Sequence, residues 1–414
     1  MNRPIKYRRL ATVISTIGAC VLLLAQCVNN DPTQPPAQAT KPQPPAAPIS
    51  PVTRAQFAGS EACASCHKAI YASHIHTPHY LTTRPANATT IKGSFLPGHN
   101  TYAYDSTMVV KMESTDSGFY QAGYYNGEKK IARRFDIVVG SNSKGQTYLT
   151  RDGDHFYQLP VSYFTAAHEW ANSPLFPTHP VLFNRPITAR CLECHTTFAQ
   201  RLPDANRQLE SFDPNTILYG VDCEKCHGPG AQHVAFQSQH PEEKAAKFIL
   251  NPKKFTRQQS LDLCILCHGG RLQKTKPSFS FISGDTITKF FAPNNTPANP
   301  DEIDVHGNQY GLLSASKCFR QSQNMTCNTC HDSHTNERGK IALFSQRCAS
   351  CHSTGHSPVC RLTATKGATA LATNCIDCHM PLQPSHSITE LLPGHTSPTA
   401  AMIRSHYIAI YAQK

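Results

Sequence analysis

Seven times the chain spells Cys, two residues, Cys, His: Cys63-Ala-Ser-Cys66-His67, Cys191-Leu-Glu-Cys194-His195, Cys223-Glu-Lys-Cys226-His227, Cys264-Ile-Leu-Cys267-His268, Cys327-Asn-Thr-Cys330-His331, Cys348-Ala-Ser-Cys351-His352 and Cys375-Ile-Asp-Cys378-His379. Random order of the same residues would give about 0.04 occurrences. Two thiols on one helical turn can each add to a vinyl group on the same edge of a porphyrin, while the next residue turns its imidazole under the iron. The spacing therefore predicts covalent haem c, seven groups, with Cys63, Cys66, Cys191, Cys194, Cys223, Cys226, Cys264, Cys267, Cys327, Cys330, Cys348, Cys351, Cys375 and Cys378 as anchors. His67, His195, His227, His268, His331, His352 and His379 are the built-in iron ligands. One copy alone could be half a zinc ribbon or a redox dithiol; seven copies with His always in fifth place fit neither.

The elements that must position these turns follow from their density. Six motifs fall within Cys191 to His379, too close for a separate protein core around each porphyrin. The expected fold is mainly short α-helices and irregular loops wrapped around seven covalently bound haems. Asp262, ahead of Cys264, reads as an N-cap. The gap between His67 and Cys191 is different. Thr107–Met112, Phe119–Tyr125, Ile131–Val139, Gln146–Thr150 and His155–Leu159 are β-prone, with turn signals at Asn126-Gly127 and Asp152-Gly153-Asp154. An antiparallel β insertion over about residues 100–165 is expected, with a structural or interfacial role: covering the first haem or docking a partner.

Residues 1–26 read as a signal peptide: Arg3, Lys6, Arg8 and Arg9, then a mostly apolar run from Leu10 to Ala25, short for a spanning helix. A signal-anchor is the alternative. Cys27 reads as a lipid-anchor site, although Gln26 stands where a small residue is usual. Cys20 fits that pattern better but would leave Val21-Leu22-Leu23-Leu24 at the mature start. Residues 27–56 form a Pro-rich linker, eight of the 21 residues from Asp31 to Pro51 being Pro, with a full reach of about 65 Å. The multihaem domain is expected over 57–414. Cys318 and Cys360 are left over, either as a disulfide or as two buried thiols.

Tyr219-Gly-Val-Asp-Cys-Glu-Lys-Cys-His-Gly-Pro-Gly-Ala-Gln-His233, Arg190-Cys-Leu-Glu-Cys-His195, the segment Gly140 to Trp170 and Cys375-Ile-Asp-Cys-His-Met-Pro381 together resemble the cytochrome c554-like multihaem cytochromes, from about Phe57 to Tyr411. The resemblance implies little regular structure, haems in contact pairs, electron transfer as the basic function, and export, because bacteria attach haem c outside the cytoplasm. The family prototype carries four haems, so haem order and ligation do not transfer wholesale.

A second His on each iron closes the haem for electron transfer; an open position admits a substrate. In such cytochromes a Cys-x-x-Cys-His-x-x-His arrangement lends its final His to a neighbouring haem, which points to His334. His233, His306, His356, His406 and one of His74, His76 or His79 complete the distal candidates, and one further haem is open or uses His168 or His386.

The formal charge of +12 first suggests a polyanionic partner. Four of those charges lie in the leader, and each ferric haem brings about one net negative charge. The basic excess thus mostly neutralises propionates, and no nucleic-acid module is present. The expected function is electron transfer through closely packed, mostly bis-His haems at the bacterial cell envelope. The chain would sit in the periplasm or at the cell surface, lipid-anchored through Cys27 and exchanging electrons with quinol-linked or other cytochromes. The alternative is a multihaem oxidoreductase acting on a small nitrogen or sulfur compound at one open haem. No catalytic nucleophile and base pair stands out, and no motif ends in the Lys that the commonest nitrite-reductase pattern would carry.

Overall fold

The structure, a computed structural model, describes residues 52–203, 209–292, 299–352, 360 and 373–411. The chain divides into two units, Met1–Ala46 and Ala47–Lys414, and all described residues belong to the second. The leader, Cys20, Cys27, most of the linker and His356 lie outside the described residues.

Two short helices, α1 (Ser60–Ala64) and α2 (Lys68–His74), lead into strand β1 (Thr83–Pro85). Strands β2 (Thr101–Ala103), β3 (Met108–Thr115), β4 (Gly118–Tyr125) and β5 (Glu128–Arg134) then form an antiparallel meander. Asn126 and Gly127 join β4 to β5 with φ of 50° and 79°, the left-handed pair that a two-residue hairpin turn requires. Next come β6 (Ile137–Val139), β7 (Gly145–Asp152), β8 (His155–Gln158), β9 (Val161–Phe164), β10 (Glu169–Asn172) and β11 (Arg185–Pro186). They join β1 in a second sheet of order β1-β6-β7-β8-β11, with β9 on β7 and β10 on β9.

Period-two alternation gives this second sheet two buried faces. Val138 and Tyr148 join Tyr102, Val110, Met112, Phe135 and Trp170 in a core shared with the meander. Their chain neighbours Ile137 and Leu149 face the other way, with Phe156, onto Ala189 and Leu192. Ala189 and Leu192 belong to α3 (Ala189–His195), the helix of the second Cys-x-x-Cys-His motif. The sheet is therefore the platform for the second motif.

Short ladders follow: β12 (Thr196–Phe198) pairs with β15 (Leu218–Tyr219), and β13 (Arg201–Leu202) with β14 (Ser211–Phe212). The remaining helices are α4 (Cys223–His227), α5 (Ala231–Gln239), α6 (Arg257–His268), α7 (Gln309–Ala315), α8 (Lys317–Gln321), α9 (Ile341–Ala349) and α10 (Ile376–His379). A hairpin of β16 (Leu382–Glu390) and β17 (Thr399–Arg404) closes the chain, bridged to the end of β10 through Asn172 N–H donating to Leu391 C=O at 2.9 Å. A small separate core of Leu261, Ile265, Leu266, Phe281 and Phe319 surrounds α6.

Helix makes up 28% and strand 25% of the structure, which corrects the expected predominance of short helices and loops. The β structure extends outside residues 100–165, in β1 before them and in β10–β17 after them. Those strands escape a pattern search because several are only two or three residues long and β16 carries Pro384 among polar residues. Asp262 is no cap. Thr256 begins α6 with a capping box to Gln259, and Asp262 is buried inside the helix, accepting from Gln258 Nε2 at 2.7 Å and Ile287 N–H at 3.1 Å. Among the described residues no helix is long and apolar enough to cross a membrane.

Candidate functional site

Each of the seven motifs lies on or at the end of a helical turn, the fifth on a 3-10 turn over Cys327–Thr329. Motifs two, three, four and seven lie on α3, α4, α6 and α10. In motifs one, five, six and seven the His N–H donates to the first Cys C=O, at 2.8 Å for His67, 3.0 Å for His331, 3.0 Å for His352 and 3.1 Å for His379. Each pair of thiols and its His therefore share one turn. Asp222 caps α4, its carboxylate accepting from Cys223 N–H at 2.7 Å.

None of the described cysteines is buried, although unmodified Cys is among the most buried residue types. The thiols instead meet across motifs: Cys63 with Cys223, Cys194 with Cys267, and Cys264 with Cys327 are side-chain neighbours. Motifs five to seven are linked by contacts of another kind, with Arg347 of the sixth motif's helix donating to Cys330 C=O at 2.6 Å. Cys375 N–H donates to Ser345 Oγ of that helix at 3.0 Å.

Between the motifs lies a continuous cavity of about 2270 Å³, against about 300–1,000 Å³ for a small-molecule pocket. The motif histidines His67, His195, His227, His268 and His331 all line it. So do five of the distal candidates, His79, His233, His306, His334 and His406. His76 is exposed and outside this lining. His74 is buried in it, Nε2 lying 3.3 Å from Asp222 Oδ1.

The imidazoles come in facing pairs. Ring centres of His79 and His268 are 6.1 Å apart, those of His227 and His334 6.2 Å, and those of His331 and His406 6.2 Å. Two imidazoles on opposite sides of one metal, each bonded at about 2.0–2.1 Å, hold their ring centres about 6.3 Å apart. His74 is a further 6.4 Å neighbour of His334. After burial, His306 is the neighbour that does most to lower the basicity of His195.

Second partners fix the rings. The Nδ1 atoms of His227, His233 and His379 sit 2.9, 2.8 and 2.8 Å from the carbonyls of Leu250, Lys247 and Ala409. A carbonyl only accepts, so Nδ1 carries the proton and Nε2 keeps its lone pair, the arrangement usual for metal-ligating histidine. His268 has Gln309 at 3.0 Å, His306 has Ser387 at 3.1 Å, and His195 has Thr82 at 3.0 Å. Thr83 also binds the His195 backbone carbonyl, so the edge of the β sheet holds the second motif's ring. The β insertion itself packs on the second motif through Ile137, Leu149 and Phe156; the sequence alone suggests that it covers the first haem or docks a partner.

Removal from bulk water lowers the basicity of this cluster. Burial, reinforced by neighbouring imidazoles, brings His79, His195 and His406 down to about 4 and depresses His227, His268, His306 and His331. The rings stay neutral at pH 7, which is the ligating form. Among the described residues no three His, Cys, Asp or Glu side chains converge to hold a bare ion. Facing pairs rather than triads suit a planar macrocycle that fills the equatorial positions itself.

Charge fits as well. Arg338 and Lys144 line the cavity; desolvation and their mutual repulsion lower the Lys144 amine, and desolvation alone lowers the Arg338 guanidinium. Among the described residues no carboxylate pairs with either, a setting suited to propionates. Sequence spacing gives no signal for Thr82, Lys144, Ser387 or Arg338.

A family model described as cytochrome c554 and c-prime matches residues 181–228, the stretch holding α3 and α4. This is narrower than the span over which the motifs carry the resemblance. No curated protein matches the chain. Among solved structures the fold is similar to an outer cell wall cytochrome, OcwA. The match has TM-score 0.53 and 14% identity and covers 85% of this chain and 79% of that one.

Proposed function

We propose that this chain, whose matched segment and fold support a c-type cytochrome, is a multihaem electron-transfer protein of the cell envelope. Haem c supplies a one-electron iron couple within each macrocycle. The chain's own residues do the rest. The 14 motif cysteines would anchor seven groups, with the motif histidines as one ligand of each. His306 would supply the other ligand for the second motif, His334 for the third, His79 for the fourth and His406 for the fifth.

The observation that carries this reading is the spacing of three imidazole pairs, 6.1–6.2 Å between ring centres across one cavity. Closed, rigidly held ligands minimise rearrangement on electron exchange. The contacts between motifs one and three, and separately from two through four and five to six and seven, would keep neighbouring centres within each group close together for electron passage. The leader, the anchor at Cys27 and the Pro-rich spacer would hold this unit off a bacterial membrane, in the periplasm or at the cell surface. Quinol-linked or other cytochromes are the partners this reading requires.

Intact mass of the exported protein tests the proposal: seven additions of about 616 Da each are expected. Fewer additions would remove motifs from the path, and zinc in place of haem would overturn it.

A further inference from the structure

Among the described residues, the cavity wall carries one acid, Glu390, with a buried oxygen that nothing pairs with. Glu390 closes strand β16, is 3% exposed and lines the cavity, and its Oε2 has no hydrogen-bond partner. Other carboxylates in the lining are engaged. Asp222 holds Cys223 N–H, Glu224 holds three backbone N–H groups, and Asp304 holds Ser385, His306 N–H and His386 N–H. A Cβ on Gly145 would stand 3.1 Å from Glu390 Oε1, so the carboxyl is pressed against the start of β7 with no donor there.

The charged and titratable groups around it do not compensate. On β7, Tyr148 is held well above its ordinary value by burial, and on β9 burial also raises Tyr163. Lys144, just before β7, donates to Met402 C=O at 2.6 Å, and Arg404 on β17 donates to Asp377 at 2.6 Å. Glu169 on β10 is exposed, and His386 lies on the acid's own strand. Burial alone pushes Glu390 up to about 8, so it is protonated at pH 7.

We propose that Glu390 is a proton-binding site linked to the electron count of the cavity, taking up one proton when an electron enters and releasing it on oxidation. The inference rests on the reading that haem occupies the cavity. The electron comes from the redox partner, the proton from solvent, and the only bond made or broken is the carboxyl O–H. An added electron makes the cavity more negative and raises the proton affinity of an unpaired carboxyl beside it. Reduction and proton uptake are therefore coupled in the window between the oxidised-state and reduced-state pKa values of this group.

Potentiometric titration of the holoprotein from pH 6 to 10, with E390Q and E390D beside the unaltered chain, tests this. In the unaltered chain at least one haem should be flat near pH 6 and then become about tenfold harder to reduce per pH unit, about 59 mV for one electron. E390D should keep a sloping region and E390Q should lose it at that haem. Equal slopes in the unaltered chain and E390Q, or no slope in either, would overturn the proposal. Haem absorbance and mass on the same samples separate this from failure of the underlying reading: if haem is absent, that reading falls first.

Discussion

Glu224 offers a sharp test of how the first and third motifs are held together. It is one of the two variable residues inside the third motif, is 5% exposed, and accepts three backbone hydrogen bonds: Ala58 N–H at 2.8 Å, Gly59 N–H at 2.8 Å and Gly230 N–H at 2.7 Å. Ala58 and Gly59 lead directly into α1, so this carboxylate clamps the entry to the first motif onto the third. Hydrogen bonds to a charged acceptor contribute about 1.5–3 kcal/mol each, and orphaned buried donors cost about 1–3 kcal/mol each. Water reaching the loop relieves part of this, and the three bonds are not additive. E224A should therefore destabilise by about 3–6 kcal/mol, a large part of a stability of about 5–15 kcal/mol. E224Q keeps one accepting oxygen but turns an amide toward a donor, and should cost about 1–3 kcal/mol. Guanidinium unfolding of the holoprotein followed by circular dichroism reads the midpoint, and limited proteolysis reads opening between Phe57 and Ser60. A shift within the ±0.5 kcal/mol of an ordinary surface change, with cleavage unchanged, would refute the clamp.

Leu192, the second motif's own 1% exposed contact with the β sheet, should cost about 2–5 kcal/mol on truncation to Ala, read as a lowered thermal midpoint; a loss under about 1 kcal/mol would contradict the platform role of the sheet. Arg347 holds the Glu337 carboxyl below its ordinary value. That stabilisation is present above the unfolded-state pKa and is lost as pH falls through the lowered folded value. Acid unfolding of E337Q should lack this component, and identical acid profiles for the two proteins would count against it. His79→Ala should open the iron above His268 and make the oxidised spectrum respond to cyanide, whereas an unchanged spectrum would remove His79 from the ligand set.

The chemistry of the motifs was legible because it is local: thiols and imidazole share one turn whatever surrounds them. The β segment from Thr107 to Leu159 was legible because its apolar residues alternate over a half-buried surface. The strands outside that segment were not, since several are only two or three residues long and β16, in the closing hairpin, is polar and interrupted by Pro384. Asp262 misled because a carboxylate ahead of a helical turn looks like a cap, while the capping box six residues earlier began the helix. Distal histidines were the least legible. His79 and His268 meet only through tertiary packing, and nothing in the spacing of either says so. His76 shows the cost of that gap, because it was as good a candidate as His79 from the sequence and faces away from the cavity lining. Glu390 was invisible for a related reason: its character comes from what the folded wall fails to offer it.

Low-temperature EPR of the fully oxidised holoprotein tests the central claim most directly. Closed bis-imidazole coordination predicts low-spin ferric signals alone, unchanged by nitrite, hydroxylamine or cyanide. A high-spin ferric signal that shifts when one of these is added would contradict the account and make the protein an enzyme with an open haem.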